Sequence, residues 1–190
     1  MARRSMRTEI IEAGLEQFHS LGFNAAGVKG ITDAAGVPKG SFYNHFDSKE
    51  ALAVVALQEY GAGRRLAELR DPAVDPLTRL RAHFEFLRDE TIGYGITRGC
   101  MIGNFGAEIA DHNDTIRTAV REALADWADA IEATLADAQR SGEVRADLNP
   151  ATTARFLLSA WEGTLIEART DRSTEAFDVF FAMTFDTLLR

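Results

Sequence analysis

Apolar residues recur at helical spacing along the whole chain, and no run alternates apolar with polar at period two. Leu77, Leu80, Phe84, Leu87 and Thr91 make one stripe, and Val120, Leu124, Trp127, Ile131 and Leu135 make another. This periodicity predicts an all-α protein. Glycine and proline mark the breaks. A helix over 8–21 places Ile10, Ile11, Leu15 and Phe18 inward and closes at Gly22. A capping-box pair, Asp47 and Glu50, starts another near Ser48, which runs through Leu52, Val55 and Leu66 to about 70, with Gly61 and Gly63 as weak points. The Asp-Pro pairs at 71–72 and 75–76 end it. A helix over 77–91 closes at Gly93 and Gly95, and a long one over 113–140 closes at Gly142. Asn149-Pro150 is a cap followed by a favoured first-turn proline, so a helix over 150–169 follows. The last helix, over 173–189, carries Phe177, Phe180, Phe181, Phe185 and Leu188.

Two short helices meet at a glycine between Gly27 and Glu50. The first has Val28, Ile31, Ala34 and Ala35 on one face and ends at Gly36, a residue that reaches left-handed dihedrals freely. Pro38 opens the second, which is too short to be stable alone. Val37, Phe42 and Phe46 supply the packing that holds it. Lys39, Ser41, Tyr43, Asn44 and His45 are left outward, and each is a hydrogen-bond donor. A surface helical hairpin would share this pattern. So would a helix-turn-helix unit, whose second helix enters a DNA major groove.

The run from Gly22-Phe23 through Gly36-Val37-Pro38-Lys39-Gly40-Ser41-Phe42-Tyr43 to Phe46-Asp47-Ser48-Lys49-Glu50 closely resembles the DNA-binding domain of TetR-family repressors. The match covers about fifty residues and is specific in order and spacing. The resemblance implies a three-helix head that binds double-stranded DNA. It carries the family's contact positions to Lys39, Ser41, Tyr43, Asn44, His45 and Lys49. Gly27 departs from the pattern, since the family has serine or threonine there, which would cap the first motif helix. Residues 1–50 are thereby expected to be the DNA-binding domain. Residues 51–190 are expected to form a larger helical bundle for effector binding and dimerisation.

Charge changes the picture only once it is divided. The net charge of -8 does not suit a DNA binder, yet residues 1–50 carry six basic and six acidic side chains. The acidic excess lies wholly beyond them, and the three lysines, Lys29, Lys39 and Lys49, lie within them. Phosphate neutralisation drives much of DNA affinity, so this segregation matters more than the total. Arg3, Arg4 and Arg7 form a basic arm that either frays or reaches a phosphate or the minor groove. An apolar share of 46% is ample for a core. No stretch has the length of a membrane span, and the N-terminus lacks a signal-peptide core. The single cysteine rules out an internal disulfide and suits the cytoplasm.

That cysteine lies in the second informative stretch, from Arg98 to Ile109. Gly99 sits where a helix begins, which puts Cys100 in its first turn beside Arg98, a setting that favours the thiolate. Gly103 and Gly106 leave space, and Phe84, Tyr94 and Phe105 are candidate aromatic walls. Gly-Cys-Met-Ile-Gly-Asn-Phe-Gly-Ala-Glu is similar to a TetR subgroup typified by NemR and AcuR. That resemblance implies that the stretch borders the effector pocket, with the cysteine sensing an electrophile or unsaturated acid. A buried, inert thiol is the competing reading. No lysine follows Lys49, so thiol chemistry that needs a nearby amine in the effector domain is closed.

Trp127, Phe156 and Trp161 read as core or as ligand cage. The breadth of apolar surface on the last two helices predicts a homodimer seam through Phe156, Trp161, Phe177, Phe181 and Phe185. Glu85, Asp89 and Glu90 read as a solvated face. His83 and His112 lack ligand-spaced partners, so neither a metal nor another cofactor is expected. The leading reading is a homodimeric repressor, not an enzyme, released from a pseudo-palindromic operator by a small-molecule effector. A noncovalent sensor of a small unsaturated or aromatic ligand, with Cys100 structural, is the first alternative. A thiol-dependent all-α enzyme is the second, though no resolving cysteine or nearby base accompanies Cys100.

Overall fold

A computed structural model describes residues 5–190 and contains helices with no strand among them. In chain order they are α1 (Met6–Leu21), α2 (Val28–Ala34), α3 (Lys39–Phe42), α4 (Lys49–Ala62), α5 (Pro76–Gly93), α6 (Met101–Glu108), α7 (Asp114–Ser141), α8 (Pro150–Asp171) and α9 (Glu175–Phe181). A 3-10 turn spans Glu68–Arg70, and a π-helical turn, Ala182–Leu188, continues α9. The chain divides into two compact units, one of Met1–Gly63 with Cys100–Ala123, the other of Arg64–Gly99 with Leu124–Arg190. The described residues 5–50 thus lie in a unit that also takes in the rest of α4, all of α6 and the start of α7.

In the first unit α1 packs on α2 and α4. Ser5 caps α1 by accepting from Thr8 N–H at 3.2 Å. Arg7 therefore belongs to a helix and not to an arm, with its guanidinium 5.2 Å from the centre of the Phe46 ring. Arg3 and Arg4 lie outside the described residues. Phe18, Phe23 and Phe105 pack ring to ring at 5.6 to 5.9 Å, which joins α6 to the back of α1. Ser48 caps α4 through Ala51 N–H at 3.1 Å. That helix stops at Ala62 and does not reach residue 70: Gly63 ends it, and Arg65 turns the chain with φ of 55°.

In the second unit α5, the remainder of α7, α8 and α9 each contribute buried aromatics to the core, among them Phe84, Trp127, Trp161 and Phe177. Polar side chains stitch α5 to α7 along one seam. Trp127 Nε1–H donates to His83 Nε2 at 2.9 Å, and Arg79 Nη2 donates to Asp137 at 2.8 Å. Asn149 caps α8 by accepting from Thr152 N–H at 2.9 Å, with Pro150 in the first turn. At the C-terminus the wider π winding shifts the inward register. Leu189 N–H bonds to Thr184 C=O, five residues back, and Leu189 is fully buried where a continued α-helix would have buried Leu188.

Candidate nucleic-acid interface

Helix α2 starts at Gly27 without a side-chain cap and ends in a Schellman turn. Gly36, at φ of 68°, donates its N–H to Asp33 C=O, and Val37 N–H bonds back to Thr32 C=O at 3.0 Å. Val37 is thereby driven inward, and Phe42 and Phe46 join it in the core. Thr32, not Ala34, completes the buried face of α2; Ala34 is exposed. Pro38 precedes α3 as its cap residue and is not in its first turn. Only one turn of α-helix follows, and the chain then continues in tight turns, with His45 and Phe46 N–H groups both bonding Phe42 C=O at 3.0 Å.

Those anchors leave Lys39, Tyr43, Asn44 and His45 exposed, with Ser41 partly covered. Tyr43 is 58% exposed although its ring edge meets Phe42 at 5.2 Å. Five of the six expected DNA-contact residues therefore lie within one short stretch, Lys39 to His45. Lys49 differs. It is half-buried at the start of α4, and its ammonium donates to Phe23 C=O at 2.8 Å.

The expected effector residues divide between the two units. Cys100 and Phe105 belong to the first, whereas Phe84, Tyr94, Trp127 and Trp161 belong to the second. Cys100 is buried and is the cap residue of α6, one position before the first turn. Phe105 packs on Phe18 and Phe23. Phe84 and Trp161 meet at 5.2 Å and share contacts with Phe180. Tyr94 is 39% exposed and lies beneath the Arg98 guanidinium, 4.2 Å from its ring centre. Glu90, read from sequence as solvated, instead clasps the buried Arg64 guanidinium through both oxygens, at 2.5 and 2.8 Å.

The expected dimer residues require a correction. Trp161, Phe177, Phe181 and Phe185 are buried within the chain itself, so they are not its exposed apolar surface. Only Phe156 among the five is exposed. Ile166 on α8, Val179 on α9 and Met183 in the π turn share that exposure.

A family model described as bacterial regulatory proteins, tetR family, matches residues 10–56, and one described as tetracyclin repressor-like, C-terminal domain, matches 76–184. The chain belongs to the TetR family. It is a transcriptional regulator and not an enzyme, which removes the thiol-enzyme alternative. Among TetR-family relatives it is 35% identical to the transcriptional repressor DhaR of Mycobacterium sp. (strain GP1), over all of this chain and 95% of that one. It is 33% identical to the regulator AcuR of Cereibacter sphaeroides, over 84% of this chain and 74% of that one. The reduced form of Escherichia coli NemR superposes with a TM-score of 0.85 at 25% identity, covering 97% of this chain and 98% of that one. The subgroup resemblance carried by the Cys100 stretch agrees with these relatives. No helix among the described residues is long and apolar enough to cross a membrane.

One functional candidate was not assigned from sequence. Glu108, at the end of α6, accepts from Phe23 and Asn24 N–H groups at 2.9 and 2.7 Å. Its only signal was its place at the end of the Gly-Ala-Glu run, and nothing there points to a partner some 85 residues away.

Proposed function

We propose that this TetR-family chain is a cytoplasmic, homodimeric repressor that grips a pseudo-palindromic operator with the α2–α3 units of its two heads. The observation that carries the reading is the exposed donor row Lys39, Tyr43, Asn44 and His45, backed by buried Val37, Phe42 and Phe46. Pinned apolar anchors and free donors on one short segment suit recognition of base edges and phosphates. Lys39→Ala is expected to weaken operator binding and to reduce the slope of log affinity against log salt by about one unit per subunit. Unchanged affinity and slope in a gel-shift salt series would remove Lys39 from the interface.

Release would follow a two-state equilibrium. A small effector that prefers the state with misplaced heads lowers operator affinity by its differential binding and by no more. Residues beyond the head, with Phe84, Trp127 and Trp161 among them, would supply the effector region. Cys100 supports a thiol-sensing version of the same reading. It holds the N-cap position of α6 without a side-chain capping bond, next to the first-turn backbone N–H groups that favour negative charge, and α6 is packed on the head through Phe105. Cys100→Ser should keep operator binding and lose release by N-ethylmaleimide or a quinone. Full release in that variant would leave the noncovalent sensor as the reading.

The dimer would form through the exposed apolar faces of α8 and α9. Phe156, Ser159, Gly163 and Ile166 recur along one side of α8, and a Cβ at Gly163 would meet nothing within 4 Å. That leaves room for a second helix to approach. Ile166→Glu with Val179→Glu should give a folded monomer in sedimentation, because a charge buried unpaired at such a seam costs several kcal/mol, roughly enough to dissociate it. An intact dimer would place the seam elsewhere. Charges at Phe181 or Phe185 would instead disrupt the protomer.

A further inference from the structure

The turn between α1 and α2 is held from both sides by charges. Glu108, the last residue of α6, takes two consecutive amides, Phe23 N–H on Oε2 at 2.9 Å and Asn24 N–H on Oε1 at 2.7 Å. Lys49, the first residue of α4, donates to the carbonyl of the same Phe23 at 2.8 Å, and its ammonium lies 4.0 Å from the Phe23 ring centre. Gly22 makes room for this arrangement. Its φ is 82°, and a Cβ there would sit 2.7 Å from Glu108 Oε2. Each charge is also at the unfavourable end of its own helix. A lysine at a helix start and a glutamate at a helix end both oppose the macrodipole. Neither placement serves its own helix, and both serve the turn.

We propose that Lys49 and Glu108 are positioning residues for DNA binding. Together they lock the α1–α2 turn to α4 and α6 and so set where α2 begins. On this assignment the Lys49 ammonium serves the Phe23 carbonyl and not a DNA phosphate. The inference rests on the DNA-binding reading above. It separates two kinds of lysine in one head: Lys39 acts by charge on the DNA, and Lys49 acts by geometry within the protein. Without the bracket, the reading segment would have to be ordered at each encounter, and affinity would fall by the same factor at every salt concentration.

The test uses the full chain and the duplex that the wild-type protein selects from a random pool. Lys49→Met and Glu108→Gln should each weaken binding by about tenfold, and the double variant should lose little more, because residues that hold one turn are not additive. The salt slope should stay within about 0.3 unit per subunit of wild type in all three, whereas Lys39→Ala loses about one unit per subunit. In Glu108→Gln, hydrogen exchange at the Phe23 and Asn24 amides should speed up by about tenfold. Glu108→Gln also discriminates by sign. It removes a negative charge from a DNA-binding head, so a purely electrostatic role predicts tighter binding, and positioning predicts weaker binding. A slope reduced by about one unit per subunit in Lys49→Met would overturn the assignment and make that lysine a phosphate contact. Unchanged exchange at Phe23 and Asn24, or equal or tighter binding by Glu108→Gln, would overturn it as well. If wild type selects no duplex, the DNA-binding reading fails, and with it the role assigned to both residues. The exchange measurement then still reports whether the bracket exists.

Discussion

Replacing Trp161 by alanine is expected to destabilise the protein by about 3–5 kcal/mol, as truncation of a buried indole leaves a cavity that the surroundings fill only in part. Trp161 is 1% exposed. Its ring lies 5.1 to 5.6 Å from those of Phe84, Phe177 and Phe180, so three phenylalanines from α5 and α9 lose contacts together. Urea unfolding at fixed protein concentration should show a lower midpoint with the same denaturant dependence. Phe156→Ala, on the same helix but 58% exposed, supplies the comparison. In an Ile166→Glu, Val179→Glu background, where the dimer contribution is removed, it should shift stability by no more than about 0.5 kcal/mol, as exposed positions generally do. Near-neutral behaviour of Trp161→Ala would mean that the indole serves a ligand or a partner and not the core.

The contrast between Trp161 and Phe156 also marks what could be read from the chain alone. Local signals held where the physics is local. Gly36 with Val37 built a Schellman turn, Asn149-Pro150 capped α8, and the Val120 to Leu135 stripe of α7 turned inward at Trp127, Ile131 and Leu135. The donor row Lys39 to His45 followed from the same reasoning, because burying Val37, Phe42 and Phe46 leaves those residues outside.

Pairings between distant segments were not legible. Glu90 looks like one acid among several on a helix face until Arg64, 26 residues away, is placed against it. Lys49 looks like a free cation until the Phe23 carbonyl is seen beside it. The last helix misled for another reason. A wide apolar surface read at 3.6 residues per turn exceeds one face. The π turn rewinds Ala182–Leu188 so that Phe185 and Leu189 both point into the same core as Phe177 and Phe181. The exposed residues Ile166, Val179 and Met183 stand out only after those phenylalanines have been placed inside.

His83 should make the protein acid-labile across a defined window. Its imidazole is 5% exposed, and burial, with the nearby charge of Arg64, lowers its pKa from 6.5 to about 4. The geometry agrees with a neutral ring. Trp127 Nε1–H donates to His83 Nε2 at 2.9 Å, so Nε2 must carry a lone pair and the proton belongs on Nδ1. Protonating Nε2 would set two donors against each other in the core. In the unfolded chain the same histidine titrates near its ordinary value, so between pH 6.5 and about 4 the unfolded state binds more protons. Stability is therefore fully present above pH 6.5 and falls as pH is lowered, by up to about 1.4 kcal/mol per unit, to a total of roughly 3 kcal/mol once both states are protonated. Carboxylates contribute to any acid limb, so the measurement is a difference. Urea midpoints of wild type and His83→Gln should be compared from pH 7.5 to 4, with glutamine keeping an acceptor for Trp127. The variant should start less stable at neutral pH and lose less on acidification, so that the two curves converge towards pH 4. Parallel curves would show that His83 is not held neutral by the fold.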